Sequence, residues 1–454
     1  MLVVTLPKSA RNNPLAFAKK AARSGADILE IRGDLTPGIK NFRSPLPVLL
    51  SPRGVSANLI DQFKPEYLDL ELGEKIPGGS IGRKTRVIRS FHDYRKTPTL
   101  SELKSIEKKL RIQNPWAVKI AVNIRSYADL RILEKFRGSI RGKRSIVLGM
   151  GPRAHLNRML SPLLDALTYT YLNDGEQAAE GQIPIALYRL VKHCKKPRLF
   201  GLLGSLDIRS LSPLIHNTLF KRHGIDALYF LALTDDLDDA WKNLTALGVD
   251  GFSVTSPWKR TIVGKLDRVG ENSRGTISVN TVVKKHGSWI GYARDAEGLL
   301  QGYSFLRSAK SAGILGSGGV VSEVVRALRL AGVGDIRIFA RNAVARLELA
   351  GSLGVGHGSL GEAAKVQPDV FICAINADID LPLAVARNGA HAIDLRYGRK
   401  TKFLLAAKKS GYMVHDGLPM LLNQALAQFA LFTGRKTSIK DVNYLKKILL
   451  TANR

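Results

Sequence analysis

Cysteine is nearly absent from this chain: Cys194 and Cys373 are the only two in 454 residues. Two cysteines cannot build a disulfide framework or a cysteine-rich zinc site, and a reducing cytoplasm fits them. Aromatic residues are 7% of the chain, too few for the stacking platforms of single-stranded nucleic-acid binders. No apolar run approaches the ~18 residues of a membrane span. The first residues, Met1-Leu2-Val3-Val4-Thr5-Leu6-Pro7, lack the basic start and long apolar stretch of a signal peptide and are predicted to form a first strand. Acidic residues are short as well: 38 Asp and Glu stand against 69 Lys and Arg, a net charge of +31. The basic residues are spread through both halves, as in Arg83-Lys84-Arg86, Lys108-Lys109-Arg111 and Lys446-Lys447, with no basic tail. A solvated basic surface that attracts small anions explains this better than nucleic-acid binding. Neither a membrane nor a metal is expected as a partner.

What the chain does have is length for two or three domains, a 45% apolar fraction, and two lysines in unusual settings. Lys119 lies inside the apolar run Ala117-Val118-Lys119-Ile120-Ala121-Val122, and Lys259 closes Ser253-Val254-Thr255-Ser256-Pro257-Trp258-Lys259. A lysine enclosed by apolar neighbours is expected to lose its proton more easily and to become a usable amine. Two such lysines suggest two active sites.

Residues 1–196 carry eight short β-type runs: Leu2–Leu6, Ile28–Arg32, Val48–Ser51, Tyr67–Leu72, Val87–His92, Ala117–Val122, Ser145–Met150 and Ala166–Leu172. Helical patterns separate several of them, at Pro14–Ser24, Thr99–Arg111 and Ser126–Phe136. Alternation of this kind predicts a parallel sheet, and eight repeats predict a β/α barrel, trimmed by short connections after strands two, three and four. Barrel chemistry gathers at the C-terminal strand ends, and the polar residues fall there: Glu30 and Arg32, Arg53, His92, Lys119, Arg158 and Gln182. Each alone has a plain structural explanation. A strand-end histidine is often only a satisfied polar group, and Glu30 with Arg32 could be a structural ion pair. Together they suggest an imine site. A neutral lysine attacks a ketone, and the iminium acidifies the neighbouring proton. A histidine acts as base and then as acid, and arginines hold a carboxylate.

These residues resemble type I 3-dehydroquinate dehydratase. The matching pieces are Glu30-Ile31-Arg32-Gly33-Asp34, Tyr67-Leu68-Asp69-Leu70-Glu71, Ser90-Phe91-His92-Asp93-Tyr94, Val118-Lys119-Ile120-Ala121 and Gly181-Gln182-Ile183. The resemblance implies Lys119 as the Schiff-base lysine and His92 as the general acid and base. It implies Glu30, Arg32, Arg53, Arg158 and Gln182 as substrate holders. The chain departs from the family at Ala57, where a glutamate is usual, at Ala178-Ala179-Glu180 in place of Ser-Ala-Pro, and at Asn157 in place of a serine.

In the second half, Ala312-Gly313-Ile314-Leu315 is predicted as a strand, Gly316-Ser317-Gly318-Gly319 as a glycine-rich turn, and Ser322–Ala331 as an amphipathic helix. Such a turn lets backbone approach a pyrophosphate at a helix N-terminus. The next strand ends Phe339-Ala340-Arg341-Asn342, without the acid that holds an unphosphorylated ribose. Arg341 suits a 2′-phosphate and so favours NADP. Earlier, Ser210 and Ser212 stand two apart before Pro213. They can offer hydroxyls to a carboxylate, or simply cap a helix.

With Val254-Thr255-Ser256-Pro257-Trp258-Lys259, Val279-Asn280-Thr281, Asp295-Ala296-Glu297-Gly298, Gly417-Leu418-Pro419-Met420-Leu421 and Gln424-Ala425 following in order, residues 199–454 resemble shikimate dehydrogenase. The resemblance implies Lys259 and Asp295 as the catalytic pair. It implies Ser210 and Ser212 on the carboxylate, and Thr255, Asn280 and Gln424 on the ring hydroxyls. NADP would be held by Gly316, Ser317, Gly318, Gly319 and Arg341. Departures are Ser253 for asparagine, Ala293-Arg294 for Asn-Thr, Arg209 for histidine and Asn342 for threonine. Arg294 is expected to lower the pKa of Asp295.

The expected architecture is therefore an α/β chain with a trimmed (β/α)8 barrel over 1–196. An α/β substrate domain follows over 197–300 together with C-terminal helices at about 418–454, and a Rossmann NADP domain spans 301–417. The expected function is bifunctional: 3-dehydroquinate is dehydrated to 3-dehydroshikimate, which is reduced to shikimate with NADPH. One rival has only the dehydrogenase half active. A rival of another class is a basic nucleic-acid-binding or regulatory protein on degenerate enzyme domains. A homodimer is compatible with the sequence but not read from it.

Overall fold

The computed structural model describes residues 1–54, 58–75, 81–270, 278–398 and 400–452; Ala57 lies outside them. The chain divides into two compact units, Met1–Asp250 and Gly251–Arg454.

The first unit opens with eight parallel strands: β1 (Leu2–Thr5), β2 (Ile28–Arg32), β3 (Val48–Ser51), β4 (Tyr67–Glu71), β5 (Arg86–Asp93), β6 (Ala117–Asn123), β7 (Ser145–Met150) and β8 (Thr168–Tyr171). A two-residue β9 (Ile183–Pro184) follows. The helices are α1 (Pro14–Arg23), a single-turn-and-a-half α2 (Asn58–Phe63), α3 (Leu100–Arg111), α4 (Tyr127–Ser139), α5 (His155–Leu164) and α6 (Ile185–Val191). Their starts are chemically set. Asn13, Thr99 and Ser126 each accept an otherwise unpaired amide of the first turn, and Glu102 and Asp129 complete capping boxes. Among the described residues no helix joins β2 to β3 or β4 to β5, as the short connections predict, while the short α2 joins β3 to β4.

The sheet follows barrel order, β7-β6-β5-β4-β3-β2-β1-β8-β9, so β8 returns to pair with β1. Among the described residues no ladder joins β7 to β8, and the sheet is the curled, open form of the trimmed barrel that the sequence predicts. At the start of β7, Ser145 O accepts the Ala166 amide at 2.9 Å, and further along polar side chains cover part of the β7 edge. Its outward backbone groups are taken by side chains: Asn157 Oδ1 accepts Gly149 N–H at 2.7 Å, Arg158 Nε donates to Gly149 O at 2.6 Å, and Arg137 and Asn157 both donate to Val147 O. Polar side chains thus satisfy an edge that a closed barrel gives to its eighth strand. Inward residues such as Val3, Ile28, Leu49, Ile88, Ala117, Ala121 and Tyr169 form the core of the sheet, with Lys119 between the two alanines by strand alternation.

The first unit continues through β10 (Arg198–Gly204), α7 (Ser212–Arg222), β11 (Ala227–Leu233) and α8 (Leu237–Ala246). β10 and β11 pair in parallel along their whole lengths. This segment is fastened to the eight-stranded part. Asp239 accepts the amides of Tyr127 and Ala128 at 2.6 and 3.2 Å, Tyr127 Oη donates to Leu233 O at 3.0 Å, and Arg153 pairs with Asp235.

The second unit takes up the chain within β12 (Val249–Val254), followed by β13 (Arg268–Val269), β14 (Thr281–Lys285) and β15 (Ser288–Tyr292). β12–β14 and β14–β15 are antiparallel and β13–β15 is parallel. After α9 (Asp295–Gly302) come β16 (Ser311–Leu315), α10 (Val321–Leu330), β17 (Asp335–Phe339), α11 (Ala343–Leu353), β18 (Gly356–Gly358), α12 (Leu360–Ala363), β19 (Val370–Cys373), β20 (His391–Asp394), α13 (Lys402–Lys409) and β21 (Met413–His415). These strands form one parallel sheet in the order β18-β17-β16-β19-β20-β21, the doubly wound Rossmann order. α10 buries Val321, Val324, Val325 and Leu328 against Ile314, Ile338 and Ile372, each such side chain contributing roughly 1.5–3 kcal/mol. The chain ends in α14 (Leu418–Thr433) and α15 (Ile439–Ala452). α9 packs tightly on α14 because residue 298 is glycine; a Cβ there would stand 2.8 Å from Gln424 Cβ. No helix among the described residues is long and apolar enough to cross a membrane.

Candidate active sites

Strand alternation places Glu30, Asp69, Glu71, His92 and Lys119 toward the interior of the first sheet. Glu30 is 2% exposed and accepts Thr5 Oγ1 at 2.6 Å and Ser51 Oγ at 2.8 Å. Arg32 instead bonds Asp34 through two nitrogens, so Glu30 and Arg32 are not paired with each other. Arg53, in a left-handed backbone conformation (φ 54°), reaches Glu71 Oε2 at 2.7 Å and lies 3.2–3.3 Å from both ring nitrogens of His92.

Glu71 is the organiser that the sequence reading passed over. It accepts His92 N–H at 2.9 Å, bonds His92 Nδ1 at 2.6 Å and accepts Ser90 Oγ at 3.3 Å. With Nδ1 held, Nε2 is the nitrogen left to face a substrate. Burial pushes the His92 pKa below its ordinary value, the Glu71 bond opposes this, and the charges of Lys119 and Arg53 add to the lowering. Burial would raise Glu71, but the His92 bond and the charges of His92 and Arg53 bring it below the usual carboxylate range. The signal available in the sequence was the period-two spacing of Asp69 and Glu71 on β4, the pattern used for Glu30 and Arg32.

Lys119 is 4% exposed, yet its amine is not in apolar surroundings. Nζ donates to Asp69 Oδ2 at 2.7 Å and to Tyr169 Oη at 3.0 Å. Burial would raise Asp69, but Lys119 and Arg53 outweigh it and hold the carboxyl down to about 2. Apolar along its strand, Lys119 thus ends in an ion pair with Asp69 beside the Tyr169 hydroxyl. Arg158 stands apart from this cluster. It is buried on α5, with its bond to Gly149 O. Gln182 Oε1 accepts the amide of Ala178 at 2.8 Å, tying down the loop where the family serine is missing.

In the first unit, Ser210 Oγ donates to Ser212 Oγ at 3.0 Å and accepts the Ser212 amide at 3.1 Å, so both hydroxyls stand together at the start of α7. In the second unit, Lys259 Nζ meets Asp295 Oδ2 at 2.5 Å. Asp295 is buried at the first position of α9, where the helix dipole favours a carboxylate. Its Oδ1 accepts Asn280 Nδ2 at 2.7 Å, while Asn280 Oδ1 accepts Arg294 N–H and Thr281 Oγ1. Asn280 is thus largely occupied in holding Asp295. Gln428, also passed over in the sequence, donates to Asn280 O at 3.2 Å and accepts Ser253 Oγ at 2.8 Å. Ser253, a family departure, is one end of this buried chain. Arg294 turns to Glu297 at 2.8 Å and lies over the Tyr292 ring. Thr255 and Gln424 are half-buried.

The residues of the glycine-rich turn fit a dinucleotide. Gly316 has φ +116°, and a Cβ there would crowd Ile375 and Ala374 at 3.1–3.3 Å, whereas one at Gly318 would meet nothing within 4 Å. The turn is tight where it leaves β16 and open above Ser317 and Gly318. No side chain caps α10; Val321 and Glu323 N–H turn to Gly318 O and Val320 O, and the helix dipole favours a phosphate at this end. Arg341 is exposed beyond β17, and Asn342 caps α11 through Ala345 N–H. Among the described residues no group of three or more His, Cys, Asp or Glu could hold a metal ion.

Three family models match the chain: type I 3-dehydroquinase over 55–193, shikimate dehydrogenase substrate binding domain over 203–282, and shikimate 5′-dehydrogenase C-terminal domain over 417–442. The shikimate dehydrogenase (NADP(+)) of Pyrococcus abyssi is 32% identical over 56% of this chain and 97% of its own length. The pentafunctional AROM polypeptide of Malassezia globosa is 28% identical over 93% of this chain, which spans 30% of that polypeptide. Among solved structures, shikimate 5-dehydrogenase of Thermus thermophilus in complex with shikimate aligns with a TM-score of 0.50 at 28% identity, over 56% of this chain and 99% of its own. With its dehydrogenase portion covered nearly end to end by a relative of that identity, the chain belongs to the shikimate dehydrogenase family and carries a type I 3-dehydroquinase domain ahead of it.

Proposed function

We propose that Lys119 and His92 perform the dehydration in this lyase–oxidoreductase fusion and that Lys259 and Asp295 perform the NADPH-dependent reduction. The observation that carries this assignment is the pair of lysine–carboxylate contacts, Lys119–Asp69 and Lys259–Asp295, each beside a second held group, the Glu71–His92 pair and Asn280.

In the first reaction, the Lys119 amine adds to the ketone of 3-dehydroquinate and water leaves as the imine forms. Neutral His92, aimed by Glu71, removes the proton next to the imine carbon and then returns it to the departing hydroxyl. Arg53, Arg32, Glu30 and Gln182 hold the carboxylate and hydroxyls, whereas Arg158, bonded to Gly149 O away from them, is left out of this set. In the second reaction, Ser210 and Ser212 hold the carboxylate of 3-dehydroshikimate, and Thr255, Asn280 and Gln424 face its ring hydroxyls. The bound NADPH, held by Gly316, Ser317, Gly318, Gly319 and Arg341, supplies the hydride. The Lys259 ammonium hydrogen-bonds the carbonyl oxygen and delivers the proton that the new alcohol needs. Asp295, bonded to Nζ, keeps Lys259 aimed.

The dehydratase domain spans 1–196, the substrate domain 197–300 with the C-terminal helices from about 418, and the NADP domain 301–417. The protein works in the cytoplasm on small anions, and its positive charge raises their local concentration; nucleic acid is not its partner. Incubation with 3-dehydroquinate and NADPH, following NADPH loss, tests both sites at once. Steady NADPH consumption is expected. Consumption only after 3-dehydroshikimate is added would leave the dehydrogenase half alone as the active one.

A further inference from the structure

The phenol of Tyr169 is unused in the scheme above, although it touches the reacting nitrogen. Tyr169 Oη lies 3.0 Å from Lys119 Nζ, and Nζ sits 4.2 Å from the centre of the Tyr169 ring. Lys119, Asp69 and Tyr169 are all buried, none more than 4% exposed. The ring of Tyr169 belongs to the core of the sheet, a task phenylalanine would do as well. The hydroxyl is what needs a reason. It accepts from Lys119, and its own hydrogen has no acceptor among the described residues. Asp69 Oδ1, next to it around the same amine, is likewise buried without a partner. An unspent donor and an unspent acceptor therefore flank the nitrogen that must lose one proton and exchange another.

We propose that Tyr169 is a catalytic residue of the dehydratase half, passing a proton between the Lys119 nitrogen and the substrate oxygen while the imine forms. The inference rests on the imine role of Lys119. The Lys119 ammonium first gives a proton to Asp69, and the neutral amine adds to the ketone carbon. Tyr169 then donates its hydroxyl proton to the resulting oxyanion and recovers one from the cationic nitrogen, giving a neutral carbinolamine. Protonated Asp69 returns its proton to the carbinolamine hydroxyl, which leaves as water, and the nitrogen lone pair closes the iminium. Lys–NH3+ and ketone become iminium and water, with Asp69 and Tyr169 restored. Burial raises the Tyr169 pKa well above its ordinary value, so the phenol keeps its proton until the oxyanion appears.

The test is Tyr169→Phe in the full chain, with the rate of borohydride-trapped adduct on Lys119 measured by quenching and mass spectrometry after mixing with 3-dehydroquinate. Adduct formation should slow by roughly 100-fold, the lower end of what a positioned proton-transfer group contributes, with KM little changed. Reduction of 3-dehydroshikimate by the same protein should stay normal. Trapping at the wild-type rate would overturn the proposal. Wild-type protein that traps nothing on Lys119 would overturn the imine role and this proposal with it, a failure seen before any variant is made. If the phenylalanine protein folds poorly, 2,3-difluorotyrosine at position 169 keeps the shape and hydroxyl but lowers the phenol pKa. The alkaline limb of adduct formation should then move to lower pH, and an unmoved limb would sink the idea.

Discussion

The carboxylate of Asp239 on α8 accepts the backbone N–H of Tyr127, the first residue of α4, at 2.6 Å. It also takes the Ala128 amide, while Ser126 takes that of Asp129. Three of the amides that a helix start leaves unpaired are thus satisfied, two of them by a side chain more than a hundred residues away in sequence. Asp239→Ala should cost about 1–2 kcal/mol, the usual worth of a cap, seen as a lower denaturant midpoint for the first unit. An unchanged midpoint would mean that water replaces Asp239 at no loss.

Lys119→Ala should abolish borohydride trapping and reduce dehydration by at least roughly a thousandfold, since it removes the amine that forms the imine. Reduction of 3-dehydroshikimate should continue. Dehydration at a tenth or more of the wild-type rate would rule out the imine.

Dehydration should follow the His92 titration. Its pKa is depressed below the ordinary value, so the ring is neutral at pH 7, and kcat/KM should stay level there and fall only below about pH 6.5. The linked stability has the same sign. Between the native pKa and about 6.5 the unfolded chain binds the extra proton, so stability is present above that window and declines as pH falls through it. Glu71→Gln removes the contact that supports the protonated ring. The acid limb should move to lower pH, and the rate should drop roughly tenfold or more, as for a lost charge-assisted hydrogen bond. A limb that stays in place would detach Glu71 from His92.

Lys259→Ala should lower the kcat for 3-dehydroshikimate by roughly 100- to 10,000-fold, the range for a positioned acid, with dehydration untouched. Gln428→Leu, which leaves Lys259 and Asp295 in place but removes the support of Asn280 O and Ser253, should produce a smaller loss. Equal losses would indicate that the variant unfolds rather than misplaces the pair.

Arg341→Ala should raise the KM for NADPH by roughly 10- to 100-fold, the worth of a charge-assisted contact to a 2′-phosphate, and leave NADH nearly unaffected. Equal effects on both cofactors would remove Arg341 from phosphate recognition.

The strands were legible because the pattern is local. Apolar runs of four to eight residues bounded by Gly, Pro and polar clusters mark β1 to β8 almost residue by residue, and Thr99 and Ser126 mark their helices through capping chemistry. The glycine-rich turn and the bare end of β17 were likewise local signals. What covers the β7 edge was not local. Arg137, Asn157 and Arg158 reach the backbone of Val147 and Gly149, and nothing in the spacing of strands foretells which side chains fill an edge.

By itself the sequence determined the order of the elements and the presence of two lysines with their expected partners His92 and Asp295. Only the tertiary structure decided what each lysine nitrogen touches. Lys119 sits among apolar neighbours along β6, but its amine lies fifty residues from Asp69 and Tyr169 in sequence and at bonding distance in space. Charge and hydrogen bonding act through space over a few ångströms, so the state of a buried amine is set by residues that its own strand does not contain.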